Sequence, residues 1–182
     1  DMFTSKAFLP AAAFLAAVSS QLSLAADAPQ RSLYWGDTHL HTSYSPDAFL
    51  MQNRSATPDT AYQYAKGMPV IHPLHRARVH NGTPLDFLLV SDHAENRGVE
   101  PKILQGDPLV TGTATGKRYN EMADAGKEME VFTELIAQVN GVIPVNMELN
   151  SPEVNSTVWG EIMDAADRHN DPGHFTAFMG WE

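Results

Sequence analysis

The chain has 182 residues, of which 43% are hydrophobic and 19% charged, a composition typical of a globular protein with a real core. Its formal net charge is −10, from 12 basic and 22 acidic residues, which argues against nucleic acid or an anionic membrane as a partner because both bind basic patches. A small phosphorylated substrate remains compatible, since bound cations would invert the local field. The sequence has no cysteine, which excludes disulfides, thiolate chemistry and a lipoprotein anchor.

Residues 1–26 have the pattern of a secretory signal peptide, in which Lys6 precedes an apolar run and a stretch of small residues. The apolar run, residues 7–18, is shorter than the about 20 residues that span a membrane. A buried N-terminal helix is the alternative, and Pro10 fits it poorly. We therefore expect a bacterial secreted or periplasmic protein with a mature part over residues 27–182 and no stable membrane anchor after leader cleavage.

The first half of the mature part predicts a strand, a loop, a helix and a second loop. The strand begins at residues 32–35, and residues 47–56 have the composition of an irregular loop. A helix follows, with Thr57 as its N-cap, Pro58 at its first helical position and Gly67 just past its end. Residues 69–83 lack any period and predict a surface loop, whose histidines are more simply solvated than bound to substrate. These histidines are His72, His75 and His80.

The second half alternates helices with two further strands, an order typical of a parallel α/β sheet. The first of these strands is a short apolar run, which predicts burial on both faces. One segment, residues 141–152, is open to interpretation as an extra strand or a loop. In chain order we predict a strand at residues 85–90, a loop at 98–116, a helix at 117–140 ended by Gly141, a helix at 156–169, and a turn at 171–173 into the third strand.

Each of the three predicted strands is an apolar run that ends in residue types that bind metal ions. After the first run, His39 and His41 lie two apart, so that a strand points both imidazoles to one side. Such a pair suits a divalent cation, and a pair of solvated histidines is the alternative. Asp37 shares their predicted face, as a ligand or as a carboxylate that orients a ligand imidazole.

The second and third runs repeat this pattern. His93 and Glu95 follow the second run two residues apart, as possible ligands, and Asp92, directly before His93, is predicted to face the other way and to fix the turn or a backbone amide. Glu182 follows the third run, where a carboxylate is suited to bridge two cations. Polar ligands at the carboxyl ends of parallel strands are typical of an α/β barrel enzyme.

Four segments together resemble the first motifs of the PHP (polymerase and histidinol phosphatase) superfamily. The sequence around these motifs is similar to a secreted, uncharacterised branch of the superfamily that is classed as a domain of unknown function. The motif segments are residues 37–42, 44–47, 91–93 and 180–182, and the wider likeness includes residues 34–37, 65–67, 84–87 and 92–95.

The resemblance implies the N-terminal part of a distorted (β/α)7 TIM-like barrel with two or three divalent ions, usually zinc, manganese or iron. It also implies phosphoester hydrolysis by metal-activated hydroxide. By position, His39 and His41 would bind one metal, His93 another, and Glu182 would bridge. Asp47 stands where some relatives place a further ligand, which leaves its role open.

Two alternatives to a phosphoesterase remain. An amidohydrolase-type barrel that cleaves C–N or C–O bonds also places a His-x-His pair after its first strand, and a non-catalytic metal-binding module would reuse the same scaffold. The later motifs of the superfamily, and with them the general acid, are expected beyond Glu182. A fragment without them is expected to be inactive.

Overall fold

The computed structural model describes residues 31–182, and within them Tyr34–Glu182 forms one compact unit. This part of the chain is mixed α/β, as the predicted alternation indicates. The predicted leader at residues 1–26 lies outside the described residues. The strands are β1 (Gly36–Leu40), β2 (Val70–Ile71), β3 (Arg78–Val79), β4 (Phe87–Val90) and β5 (Thr176–Met179). The helices are α1 (Pro46–Leu50), α2 (Pro58–Ala65), α3 (Val99–Gln105), α4 (Pro108–Thr111), α5 (Ala114–Asp124), α6 (Glu128–Val139) and α7 (Pro152–His169).

Strands β1, β4 and β5 form a parallel sheet with β4 in the centre. The predicted strand start at residues 32–35 is wrong, since β1 begins at Gly36 and the three large side chains before it are more than 60% exposed. Gly36 pairs with Phe87 at such close range that a Cβ would lie 2.4 Å from Phe87 atoms. A side chain at this position would therefore push β1 away from β4. The three exposed side chains are Leu33, Tyr34 and Trp35.

Helix α2 confirms the predicted helix and covers one face of the sheet. The Thr57 hydroxyl accepts a hydrogen bond from the Thr60 amide, which satisfies a free N–H of the first turn. Leu88 and Val90 of β4 are fully buried against α2 and α7. The opposite face of β4 is only half-buried. Within residues 31–182, the predicted burial of this strand is therefore complete on one face and partial on the other.

Several predicted loops contain short regular elements. Residues 47–56 include most of α1, whose Phe49 is buried and stacks on Phe132 at 5.5 Å between ring centroids. Residues 69–83 form the antiparallel hairpin β2–β3. Residues 98–116 contain α3 and α4. Gly98 and Gly106, both in left-handed conformations, mark the two ends of α3, and the Asp107 side chain caps α4.

The long helix predicted at residues 117–140 is two helices, α5 and α6, separated at Gly126 with φ of 75°. Residues 141–151 form turns and irregular structure without a strand. Helix α7 begins at Pro152, earlier than predicted, because Ser151 accepts a hydrogen bond from the Val154 amide and caps it. The predicted turn at 171–173 leads into β5.

A second core cluster joins α3 to α7, and its largest fully buried members include Tyr119, Ile103 and Leu135. In residues 31–182 the sheet does not close into a barrel, since three strands form it and the β2–β3 hairpin is separate. No helix of the described part is both long and apolar enough to cross a membrane.

Candidate metal centre

The carboxyl ends of the three parallel strands deliver polar side chains to the same edge of the sheet. His39 and His41 come from the end of β1, His93 follows β4, and Glu182 follows β5. Backbone hydrogen bonds extend the β4–β5 pairing past the strands, from the Ala94 amide to the Glu182 carbonyl and from the Glu182 amide to the Asp92 carbonyl. The backbone at Glu182 is therefore fixed beside the segment that carries His93.

Three imidazoles converge on one carboxylate oxygen. Glu182 Oε2 lies 2.8 Å from His41 Nε2, 3.0 Å from His39 Nε2 and 3.9 Å from His93 Nδ1. The hydrogen bond with His39 and the nearby His93 and His41 lower the pKa of the Glu182 carboxyl, against a smaller opposing effect of burial. Glu182 is therefore ionised at neutral pH and can act as an anionic ligand.

Asp47 joins the cluster from the first turn of α1. Its carboxylate accepts a hydrogen bond from His41 Nδ1 at 2.9 Å and lies 3.8 Å from His93 Nε2. Burial raises the pKa of the Asp47 carboxyl, but hydrogen bonds from Ser45, His41 and the Ala48 amide outweigh it and lower the pKa overall. Asp47 thus has the contacts of a carboxylate that orients His41, and it is also placed to bind an ion with His93.

The hydrogen bond to Asp47 determines which ring nitrogen of a neutral His41 carries the proton. An ionised carboxylate only accepts, so Asp47 requires the proton of a neutral His41 on Nδ1 and leaves a lone pair on Nε2. That Nε2 atom is buried and makes no hydrogen bond within residues 31–182, although Glu182 Oε2 is 2.8 Å away. A buried polar atom without a partner is costly, and a cation between His41 Nε2 and Glu182 would satisfy both.

The dimensions of the cluster suit a metal ion. Two groups of ligand atoms, His39–His41–Glu182 and His41–Asp47–His93, each lie within 4.8 Å of one another. Two atoms bound to one ion are at most about 4.2 Å apart, twice a bond of about 2.1 Å, and each distance from Glu182 Oε2 to the imidazoles meets this limit. Imidazole and carboxylate ligands together suit zinc, manganese and iron.

Asp92 holds the chain that follows His41. It is fully buried and accepts hydrogen bonds from the Thr42 amide at 2.5 Å and the Thr42 hydroxyl at 2.8 Å. Burial raises the pKa of the Asp92 carboxyl, and the two Thr42 hydrogen bonds partly offset this. Asp92 therefore fixes the backbone beside the cluster, as the sequence indicates.

Two of the predicted residues lie outside both ligand groups. Asp37 accepts a hydrogen bond from the His39 amide at 2.9 Å, because the register of β1 shifts between Asp37 and Leu40 and changes the alternation of faces. Glu95 is exposed on the segment after β4. Neither belongs to a group of possible ligands in residues 31–182.

Ser45 has a role that the sequence interpretation did not assign. It is the N-cap of α1, yet its hydroxyl makes no capping bond; it donates to Asp47 Oδ1 at 2.5 Å and accepts from the His93 amide at 3.3 Å. It thereby links the α1 and β4 sides of the cluster. The available signal was a serine before proline and aspartate, which is typical of a helix start.

Comparison with known proteins gives a family and no activity. The family model described as "Protein of unknown function (DUF3604)" matches residues 28–182. No curated protein and no solved structure matches the chain.

Proposed function

We propose that this chain, which belongs to the DUF3604 family, is a metal-dependent hydrolase that cleaves phosphoesters of small molecules. The observation that carries the proposal is the convergence of three imidazoles on Glu182 Oε2, with His41 Nε2 buried and without a hydrogen bond in the part of the chain that the structure describes. The PHP-type barrel implied by the motifs is part of the same proposal.

Divalent cations bound here would supply Lewis-acid stabilisation of a phosphoryl group and a hydroxide nucleophile at neutral pH. His39, His41 and Glu182 would hold one cation, and His93 and Asp47 would hold a second, with Glu182 near both. Asp47 keeps a proton on His41 Nδ1 and so directs Nε2 into the cluster. The His39 side chain is 63% exposed, which leaves the cluster open to a substrate from solvent.

The net charge of the chain supports a small substrate. The net charge of −10 disfavours a nucleic-acid polymer, whereas the cations would attract a small phosphorylated molecule. We also propose that the protein is exported to the bacterial periplasm or exterior, on the leader pattern of residues 1–26.

The test compares metal-stripped and reloaded full-length protein on a panel of p-nitrophenyl phosphate mono- and diesters, carboxylic esters and anilides. We expect zinc, manganese or iron to raise phosphoester cleavage by at least about 100-fold, or about 2.7 kcal/mol of barrier. Metal-dependent cleavage of anilides alone would favour the amidohydrolase-type alternative. Stoichiometric metal binding without turnover on any substrate would favour a non-catalytic metal-binding module.

A further inference from the structure

A cavity of about 380 Å³ lies beside the metal-binding cluster. This volume lies within the range of about 300–1,000 Å³ that is usual for small-molecule sites. The end of β1, helix α2 and the β2–β3 hairpin form its walls. Its apolar lining includes Leu40, Ala61, Tyr64, Val70, Ile71 and Val79.

The cavity and the cluster share a wall. His41 lines the cavity and belongs to both ligand groups, and Thr42 beside it is fixed by Asp92. The cluster and the cavity are therefore adjacent at His41, so one molecule could place an anionic end at the cluster and its other end in the cavity.

The lining selects for an apolar group. None of the described lining residues is Asp, Glu, Lys or Arg, and the polar ones are partly engaged, since Asn53 accepts from the Ala56 amide and His72 accepts from the amides of Leu74 and His75. Ile71 is 52% exposed and Tyr64 40% exposed. Covering such side chains with an apolar group is favourable.

We propose that this cavity binds the apolar part of the substrate, so that preferred substrates carry an aryl or branched alkyl group on the phosphoryl group that is hydrolysed. This inference rests on the proposed function, because it assumes that the phosphoryl group binds at the cluster. A second phosphate or another charged group in the cavity would find no Lys, Arg, Asp or Glu in the described lining.

The test is calorimetric binding of phenylphosphonate and methylphosphonate to metal-loaded protein, which measures affinity without turnover. We expect phenylphosphonate to bind about 10- to 100-fold more tightly, because the ring is buried and the methyl group is not. Ile71→Asn is expected to reduce this preference by at least about threefold while the Kd of methylphosphonate stays constant. Leu74→Asn is the matched control: Leu74 is 55% exposed in the same hairpin region and does not line the cavity.

The outcomes separate the two proposals. Equal affinity for both phosphonates, or an unchanged preference in Ile71→Asn, would overturn the assignment of the cavity and leave the metal site standing. If neither phosphonate binds to protein that holds metal, the phosphoesterase proposal fails and the cavity assignment fails with it.

Discussion

A His39→Ala/His41→Ala variant is expected to lose stoichiometric metal binding and at least about 1,000-fold in phosphoester cleavage, or about 4 kcal/mol of transition-state stabilisation. The reason is geometric, since His39 and His41 supply two of the three atoms of one ligand group and His41 also belongs to the other. The remaining residues, His93, Asp47 and Glu182, would form a poorer site with no ligand from β1. Metal content by mass spectrometry and a steady-state assay measure the two effects.

The matched control is His80→Ala, which removes an exposed imidazole outside both ligand groups. We expect its metal content and activity to equal those of the parent protein. His39 is exposed, but His41 is half-buried, so its replacement could disturb packing. Circular dichroism of the double variant therefore checks that it is folded. Full metal content in a folded double variant would contradict the assignment of these histidines.

The second large effect is a loss of stability as the pH rises, caused by Glu100 in α3. Its side chain is buried, and neither carboxylate oxygen has a hydrogen-bond partner among the described residues. Burial raises the pKa of this carboxyl to about 8 from the usual 4.5. Below about pH 4.5 the group is protonated in both folded and unfolded chains. Above that value the unfolded chain ionises while the folded chain holds its proton, so the free energy of unfolding falls until the pH exceeds the folded pKa.

The expected loss is on the order of 1.4 kcal/mol per pH unit within this interval. Glu100→Gln removes the titrating group. The free energy of unfolding of this variant, relative to that of the parent protein, should therefore rise as the pH increases from about 5 to about 8. Glu128 is the other acidic residue beside the same small cavity, and it is unchanged in this variant. Urea unfolding followed by circular dichroism at several pH values measures the difference.

Glu95→Gln serves as the control for this experiment, because Glu95 is exposed and its replacement should leave the pH profile of stability unchanged. Parallel profiles for the parent protein and Glu100→Gln would show that Glu100 finds a partner or is ionised in the folded protein.

The sequence predicts those parts of the fold that depend on local signals. Helix α2 has a threonine cap and a closing glycine, and the turn at residues 171–173 has a proline and a glycine, so neighbouring residues determine both. The parallel sheet follows from the alternation of apolar runs and helices. In α2 the tertiary contacts agree with the local signals, since Tyr62 and Ala65 are buried against the sheet and α7.

The short elements escape prediction because tertiary packing determines them. Helix α1 has five residues, too few to be stable alone, and the stacking of Phe49 on Phe132 holds it in place. The strands of the β2–β3 hairpin have two residues each and carry no detectable period. The break between α5 and α6 depends on Gly126 in a left-handed conformation, whereas the apolar period continues across it.

The cluster itself is only partly visible in the sequence. The strand-end pattern brings His39, His41, His93 and Glu182 to one edge, because parallel strands share their direction. The positions of Asp47 and Ser45 depend on α1, and the position of Asp37 depends on the irregular register of β1. Neither feature has a sequence signal that extends beyond a few residues.

The most direct test is anomalous X-ray diffraction from crystals of the full-length protein grown with zinc or manganese. We predict an anomalous peak about 2.0–2.2 Å from His39 Nε2, His41 Nε2 and a Glu182 oxygen, with any second peak at His93 and Asp47. A peak only at the exposed loop histidines, or none at the ends of β1, β4 and β5, would contradict the metal centre.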